Sequence, residues 1–170
     1  IGIYHIIERS SNYWLINMSR PTADKQSTAI NENRRKVLIE GTIQSLAEFG
    51  IAGTTISTIC QASKSSRGLI SHYFESKEAL LAAALKVLYE QVSTALHAKI
   101  KEHHASPTQQ LKMVPKVLFS KSIYTVRNRN AFLSLWHETR FNTLVRQTNR
   151  ELYRGYLTRM NNLFEEAAIE

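Results

Sequence analysis

Residues 54–81 read TTISTICQASKSSRGLISHYFESKEALL. Thr54 or Thr55 can cap a short helix here. Ile56, Ile59 and Cys60 fall at i, i+3, i+4, so one side of that helix is buried. Ala62-Ser63-Lys64-Ser65 makes a polar turn. Ser65 or Ser66 can cap a second short helix, Ser66 to Tyr73, on which Ile70 and the following Phe74 are the apolar anchors. Ser66, Arg67, Leu69, Ser71 and His72 are then left to face outward. Two short helices joined by a turn of this length form a helix-turn-helix. Such a unit keeps one face of its second helix on the core and offers the other to a groove about 12 Å wide. Gly68 costs about 1 kcal/mol against Ala at an outward helical position. Close approach to DNA or to a neighbouring helix would account for it.

On the N-terminal side, helical periodicity starts near Asn33. Val37, Ile39, Ile43, Leu46 and Ala47 recur at helical spacing, Phe49 closes the run, and Gly50 is a good stop. Arg34-Arg35-Lys36 would lie at this helix's start, against the helix dipole. On the C-terminal side, Ser76 caps a fourth helix running to about His103. Its apolar positions are Leu80, Leu81, Ala84, Leu85, Leu88, Val92 and Leu96. Pro107 suits the first turn of a fifth helix, in which Pro115 predicts a kink or a late start. A loop is expected near residues 127–130, then a sixth helix from Ala131 to Phe141. A seventh is expected from Thr143 to Glu170, with Leu152, Tyr156, Leu157, Met160, Leu163 and Phe164 on its apolar side. There is no strand pattern, so the fold class is all-α.

The chain has 170 residues with three prolines and six glycines, which permits long unbroken helices. One cysteine, Cys60, excludes an internal disulfide and fits a reducing cytoplasm; its place on an apolar side makes it a core residue. No run reaches the roughly 18 apolar residues of a membrane span. Net charge is +8, which invites an anionic partner. Residues 1–33 are neutral overall, residues 34–82 carry +2 and residues 83–170 carry +6, so charge permits DNA binding without locating it. His97, His103 and His104 lack the i+4 partner of the usual zinc pair. No phosphate loop or nucleophile elbow is present. Neither an enzyme nor a metal or other cofactor is expected.

The run Thr55 to Gln61 followed by Ser66 to Leu81 resembles the signature of the TetR-type repressors, and Arg34 to Gly50 resembles that family's first helix. Ile70-Ser71-His72-Tyr73-Phe74 and Ala131-Phe132-Leu133-Ser134-Leu135-Trp136 are similar to the choline-responsive repressors of glycine betaine synthesis. The resemblance implies three segments: an arm, 1–33, flexible or foreign to the native protein; a helix-turn-helix DNA-binding domain, 34–82; and a helical effector-binding domain, 83–170. It also implies contact with double-stranded operator DNA by Thr55, Ser65, Ser66, Arg67, Gly68, Leu69, Ser71, His72, Tyr73 and Lys77. Arg34 and Arg35 would add phosphate or minor-groove contacts. Arg67 would reach a guanine edge or a phosphate, Leu69 a thymine methyl, and His72 and Tyr73 phosphates. For each polar residue the plain alternative is a solvated helical face.

The chain departs from the family in its turn. Ser63-Lys64-Ser65 stands where Ala-Gly-Val is usual, so Lys64 must accept a left-handed backbone or shift the turn. The family also continues past its seventh helix into two that pair with a second subunit. The chain is therefore expected to be truncated, and homodimerisation to need the helices it lacks. Met18 looks like a natural start, so residues 1–17 are expected to be read-through or artefact. Tyr89, Tyr124, Phe132, Trp136 and Tyr153 are candidate effector contacts, since aromatic faces attract a quaternary ammonium such as choline. Core packing is the ordinary role of such aromatics. The expected function is a cytoplasmic, effector-relieved repressor. Its rival is a truncated helical fragment that binds a ligand or partner but no operator.

Overall fold

The computed structural model describes residues 23–170. The expectations for residues 1–22 lie outside the described residues. Among the described residues seven helices follow in order: α1 (Ala23–Gly53), α2 (Ile56–Ser63), α3 (Arg67–Tyr73), α4 (Lys77–His103), α5 (Pro107–Leu118), α6 (Val126–Glu138) and α7 (Thr143–Ile169). The chain divides into two units, residues 1–34 and 35–170.

The capping chemistry fixes the element boundaries. Thr55 caps α2: its Oγ1 accepts from the Thr58 amide at 3.2 Å, and the Thr55 amide donates to Thr58 Oγ1 at 2.8 Å. Ser66 Oγ accepts from the Leu69 amide at 3.2 Å and Ser76 Oγ from the Ala79 amide at 3.1 Å, opening α3 and α4. Gly50 has φ 62° and ψ −171°, a region open essentially to glycine alone, and there α1 breaks its helical path. Lys64 does adopt the left-handed conformation, φ 51° and ψ 41°, so the turn keeps its geometry without a glycine.

Several boundaries differ from the sequence reading. α1 begins at Ala23, ten residues before Asn33. Residues 28–34 are exposed and carry no apolar stripe, so periodicity could not register them. The triplet Arg34-Arg35-Lys36 therefore lies inside a helix, and the dipole argument for it falls. α6 begins at Val126, where a loop was expected around residues 127–130. Thr125 caps it, accepting from the Asn128 amide at 3.0 Å. Pro115 lies within α5 without ending it, and the Phe119 amide still donates to the Pro115 carbonyl at 3.0 Å.

One core runs through the helix-turn-helix into the helices beyond. Leu38, Ile43 and Leu46 of α1, Ile59 of α2, Ile70 and Phe74 around α3, and Leu80 to Leu88 of α4 meet Ala131, Leu135 and Val145. Val37 and Phe49, placed on the apolar side by periodicity, are exposed; Leu38 is the buried residue. α4 and α7 run parallel, with Tyr89 bonded to Asn149 and His97 to Arg159 further along. A second cluster of Leu96, Val114, Val117, Met160 and Leu163 closes the far end. On α7, Met160 and Leu163 are buried as expected, whereas Tyr156, Leu157 and Phe164 are exposed. By length and composition α4 is long and apolar enough for a membrane span, with mean hydropathy 1.3 over its most apolar stretch. Its residues Leu80, Leu81, Ala84, Leu85 and Leu88 are instead packed in the core.

The tightest packing joins α1 to the end of α2. A Cβ at Gly41 would lie 2.5 Å from Ser63 Cβ, 2.8 Å from its amide nitrogen and 2.9 Å from its Cα. No flexible side chain can yield there. Below this contact, Ser45 Oγ lies 2.9 Å from Thr58 Oγ1 and 3.3 Å from Thr54 Oγ1, and Thr54 donates to the Gly50 carbonyl at 2.6 Å. The buried hydroxyls of Ser45 and Thr54 thus find partners without water.

Two substitutions should move stability in opposite directions. Gly41→Ala should destabilise by about 2 kcal/mol, because α1 and α2 must separate. Lys64→Gly should stabilise by about 0.5–1 kcal/mol, the left-handed strain relieved less the greater freedom of glycine in the unfolded chain. Urea denaturation checks both, and a Gly41→Ala variant as stable as the parent would contradict the close approach.

Candidate nucleic-acid interface

The outward face of α3 is open. Ser66, Arg67, Gly68, Ser71 and His72 are exposed, while Ile70 and Phe74 are 3% and 6% exposed behind them. Leu69, expected to face outward, is half-buried, with part of its surface packed against the main core. Tyr73 is also half-buried against that core, with the His72 ring edge-on to it at 4.8 Å.

Arg67 is held in place by the preceding helix. Its Nη2 donates to Ser57 Oγ at 2.6 Å, across the turn, on the exposed side of both helices. The sequence reading did not single out Ser57, which lies ten residues before Arg67 on the preceding helix, where no local spacing links the two. The Ser71 hydroxyl donates back to the Arg67 carbonyl at 2.9 Å. Thr55 is exposed, with its hydroxyl engaged in capping. Ser65 is half-buried and donates to the Ser63 carbonyl at 3.1 Å. Lys77 is half-buried in the first turn of α4.

Nothing among the described residues explains Gly68. A Cβ there would meet only Ser66 Oγ, at 3.9 Å. The neighbouring-helix explanation for this glycine belongs to Gly41 instead. Arg34 is exposed. The Arg35 guanidinium lies 5.0 Å from the Phe74 ring centroid, a cation–π contact that braces the end of α3 from α1.

The five aromatic candidates separate. Phe132 is 5.8 Å from Tyr89 and 6.3 Å from Trp136, making a short series of rings between α4 and α6. Burial, and then the neighbouring Tyr153, push the Tyr89 hydroxyl's pKa up, so it stays a donor and bonds Asn149 Oδ1 at 3.1 Å. Tyr153 stacks near Tyr156 at 6.4 Å, and Trp136 is 58% exposed, so its face is open to a ligand but not enclosed. Tyr124 pairs elsewhere, with Phe119 at 5.4 Å and under the Arg129 guanidinium at 5.8 Å.

A family model described as bacterial regulatory proteins, tetR family, matches residues 38–84. The HTH-type transcriptional regulator BetI of Burkholderia thailandensis is 30% identical over 132 residues, which cover 73% of this chain and 66% of that protein. BetI of Paraburkholderia xenovorans is 26% identical over 143 residues, covering 82% and 73%. The chain thus spans 66% of the length of the Burkholderia relatives. A solved structure from Pseudomonas aeruginosa PAO1 superposes with a TM-score of 0.72 at 24% identity, over 81% of this chain and 66% of its own, and shows the all-helical fold. Sequence relatives and fold agree: the chain belongs to the TetR family of bacterial regulatory proteins, a family of regulators and not of enzymes.

Proposed function

We propose that this chain is the operator-binding part of a transcriptional repressor. The reading rests on the open face of α3 at Gly68. A helix braced by two buried anchors presents a cation, two hydroxyls and an imidazole around a position with no side chain. Set in a major groove, that gap lets the backbone approach the base edges. Ser66, Arg67 and Ser71 reach bases or phosphates there, and His72, Tyr73 and Lys77 phosphates. Arg67 is oriented in advance by Ser57, which lowers the entropy lost on contact.

A small effector relieves binding in this reading. It enters beside Tyr89, Phe132 and Trp136, and tilts α4, which carries the recognition unit at its N-terminal end. As a dimer the protein sets two α3 helices about 34–36 Å apart, and the tilt spoils that spacing. The similarity to BetI and the open aromatic faces support a quaternary ammonium such as choline. Membership of this family supports a cytoplasmic location.

The parent protein should select a preferred duplex from a random-sequence pool, with affinity falling steeply between 50 and 200 mM salt. Arg67→Ala should weaken binding to that duplex by about 1–3 kcal/mol and relax preference at one position. Gly68→Ala should leave stability unchanged or raise it by up to about 1 kcal/mol while weakening the duplex complex. A Gly68→Ala protein that binds as tightly as the parent contradicts the close approach. Choline should release the parent from the duplex but not Trp136→Ala; equal release from both removes Trp136 from the effector site.

A further inference from the structure

α6 holds two sets of residues, one at its start and one from its middle onward. Phe132, at its middle, lies beside Tyr89 of α4, and Trp136, one turn further toward the C-terminus, lies beside Phe132. At its start, Arg127 reaches α1. Its Nη2 is 2.6 Å from Glu40 Oε2 and 3.0 Å from the Glu40 carbonyl, and its Nε donates to Gln44 Oε1 at 2.9 Å. Asn128 turns the other way and donates to Gln91 Oε1 of α4 at 3.1 Å. The first turn of α6 is therefore fastened to α1 and α4 by adjacent side chains.

The partner residues on α1 make this fastening consequential. Glu40 and Gln44 lie one turn apart, flanking Gly41, whose backbone presses on Ser63 at the end of α2. The close approach leaves no room for α1 to move toward α2 without displacing Ser63, and α3 follows Ser63 across the turn. The guanidinium holds backbone and side-chain oxygens together, a planar geometry an ammonium cannot reproduce. The ion pair is also incompletely exposed, 32% at Arg127 and 49% at Glu40, so solvent screens it only in part.

We propose that Arg127 is a positioning residue that couples the aromatic residues of α6 to the recognition helix. It acts alongside the tilt of α4, and its regulatory meaning rests on the repressor reading above. A ligand that displaces Phe132 or Trp136 moves α6, and the Arg127 clip carries that movement to α1 and so to α3.

Hydrogen exchange on the full chain tests this without any ligand. Arg127→Ala should speed exchange of α1, α2 and α3 amides about fivefold, with α7 unchanged. The exchanged pair Glu40→Arg with Arg127→Glu should recover part of the protection. The decisive arm is transmission. Trp136→Ala should alter exchange in α3 in the parent background but not in Arg127→Ala. Equal effects of Trp136→Ala in both backgrounds, or acceleration spread evenly over all helices, overturn the proposal. A parent protein that selects no duplex refutes the repressor reading, and this exchange result still decides the clip.

Discussion

The arrangement depends on one backbone contact, Gly41 of α1 against Ser63 at the end of α2. It sets how closely two helices cross, and the turn after Ser63 then fixes where α3 emerges. Ser63 is buried and its hydroxyl bonds the Ile59 carbonyl at 2.7 Å, so the small residue on the far side of the crossing is satisfied without projecting. The hydroxyl cluster of Ser45, Thr54 and Thr58 pins the other end of α2. A seven-residue helix such as α3 is too short to be stable alone. It is ordered because α1, α2 and α4 hold its anchors Ile70 and Phe74.

Much of this was legible in the sequence because it follows from local chemistry. The caps, narrowed by sequence to Thr54 or Thr55, to Ser65 or Ser66 and to Ser76, and the stop at Gly50 are decided within a few residues. So are the anchors, which obey helical spacing. Of the two outcomes the family resemblance left for Lys64, the left-handed one holds. The failures have a common cause in tertiary context. Periodicity marks a stripe without saying which edge is covered, so Leu38 displaced Val37 in the core and Leu69 is half-buried. It also misses helix that buries nothing, as at the start of α1. The loop expected at residues 127–130 was read from polar composition. There the polar side chains are the partners of α1 and α4, and they form a helix for that reason.

Gly68 and Gly41 show why a glycine alone is an ambiguous signal. Both stand in helices at similar intrinsic cost. One fills a crossing with no room for a methyl group, and the other faces open space. The sequence could not separate these, and the second is what points outside the chain. The charge distribution poses the opposite question. Most of the positive excess lies beyond residue 82, on helices other than α3. Arg127, Arg129 and Arg146 of that excess are engaged with neighbouring residues, so net charge overstates what is offered to an anion.

Backbone amide shifts of the protein, titrated with a duplex it has itself selected, test the central claim most directly. The account predicts the largest changes at residues 66–72 and at Lys77, with α7 little affected. Changes concentrated on the arginines of α7, with α3 silent, would contradict it.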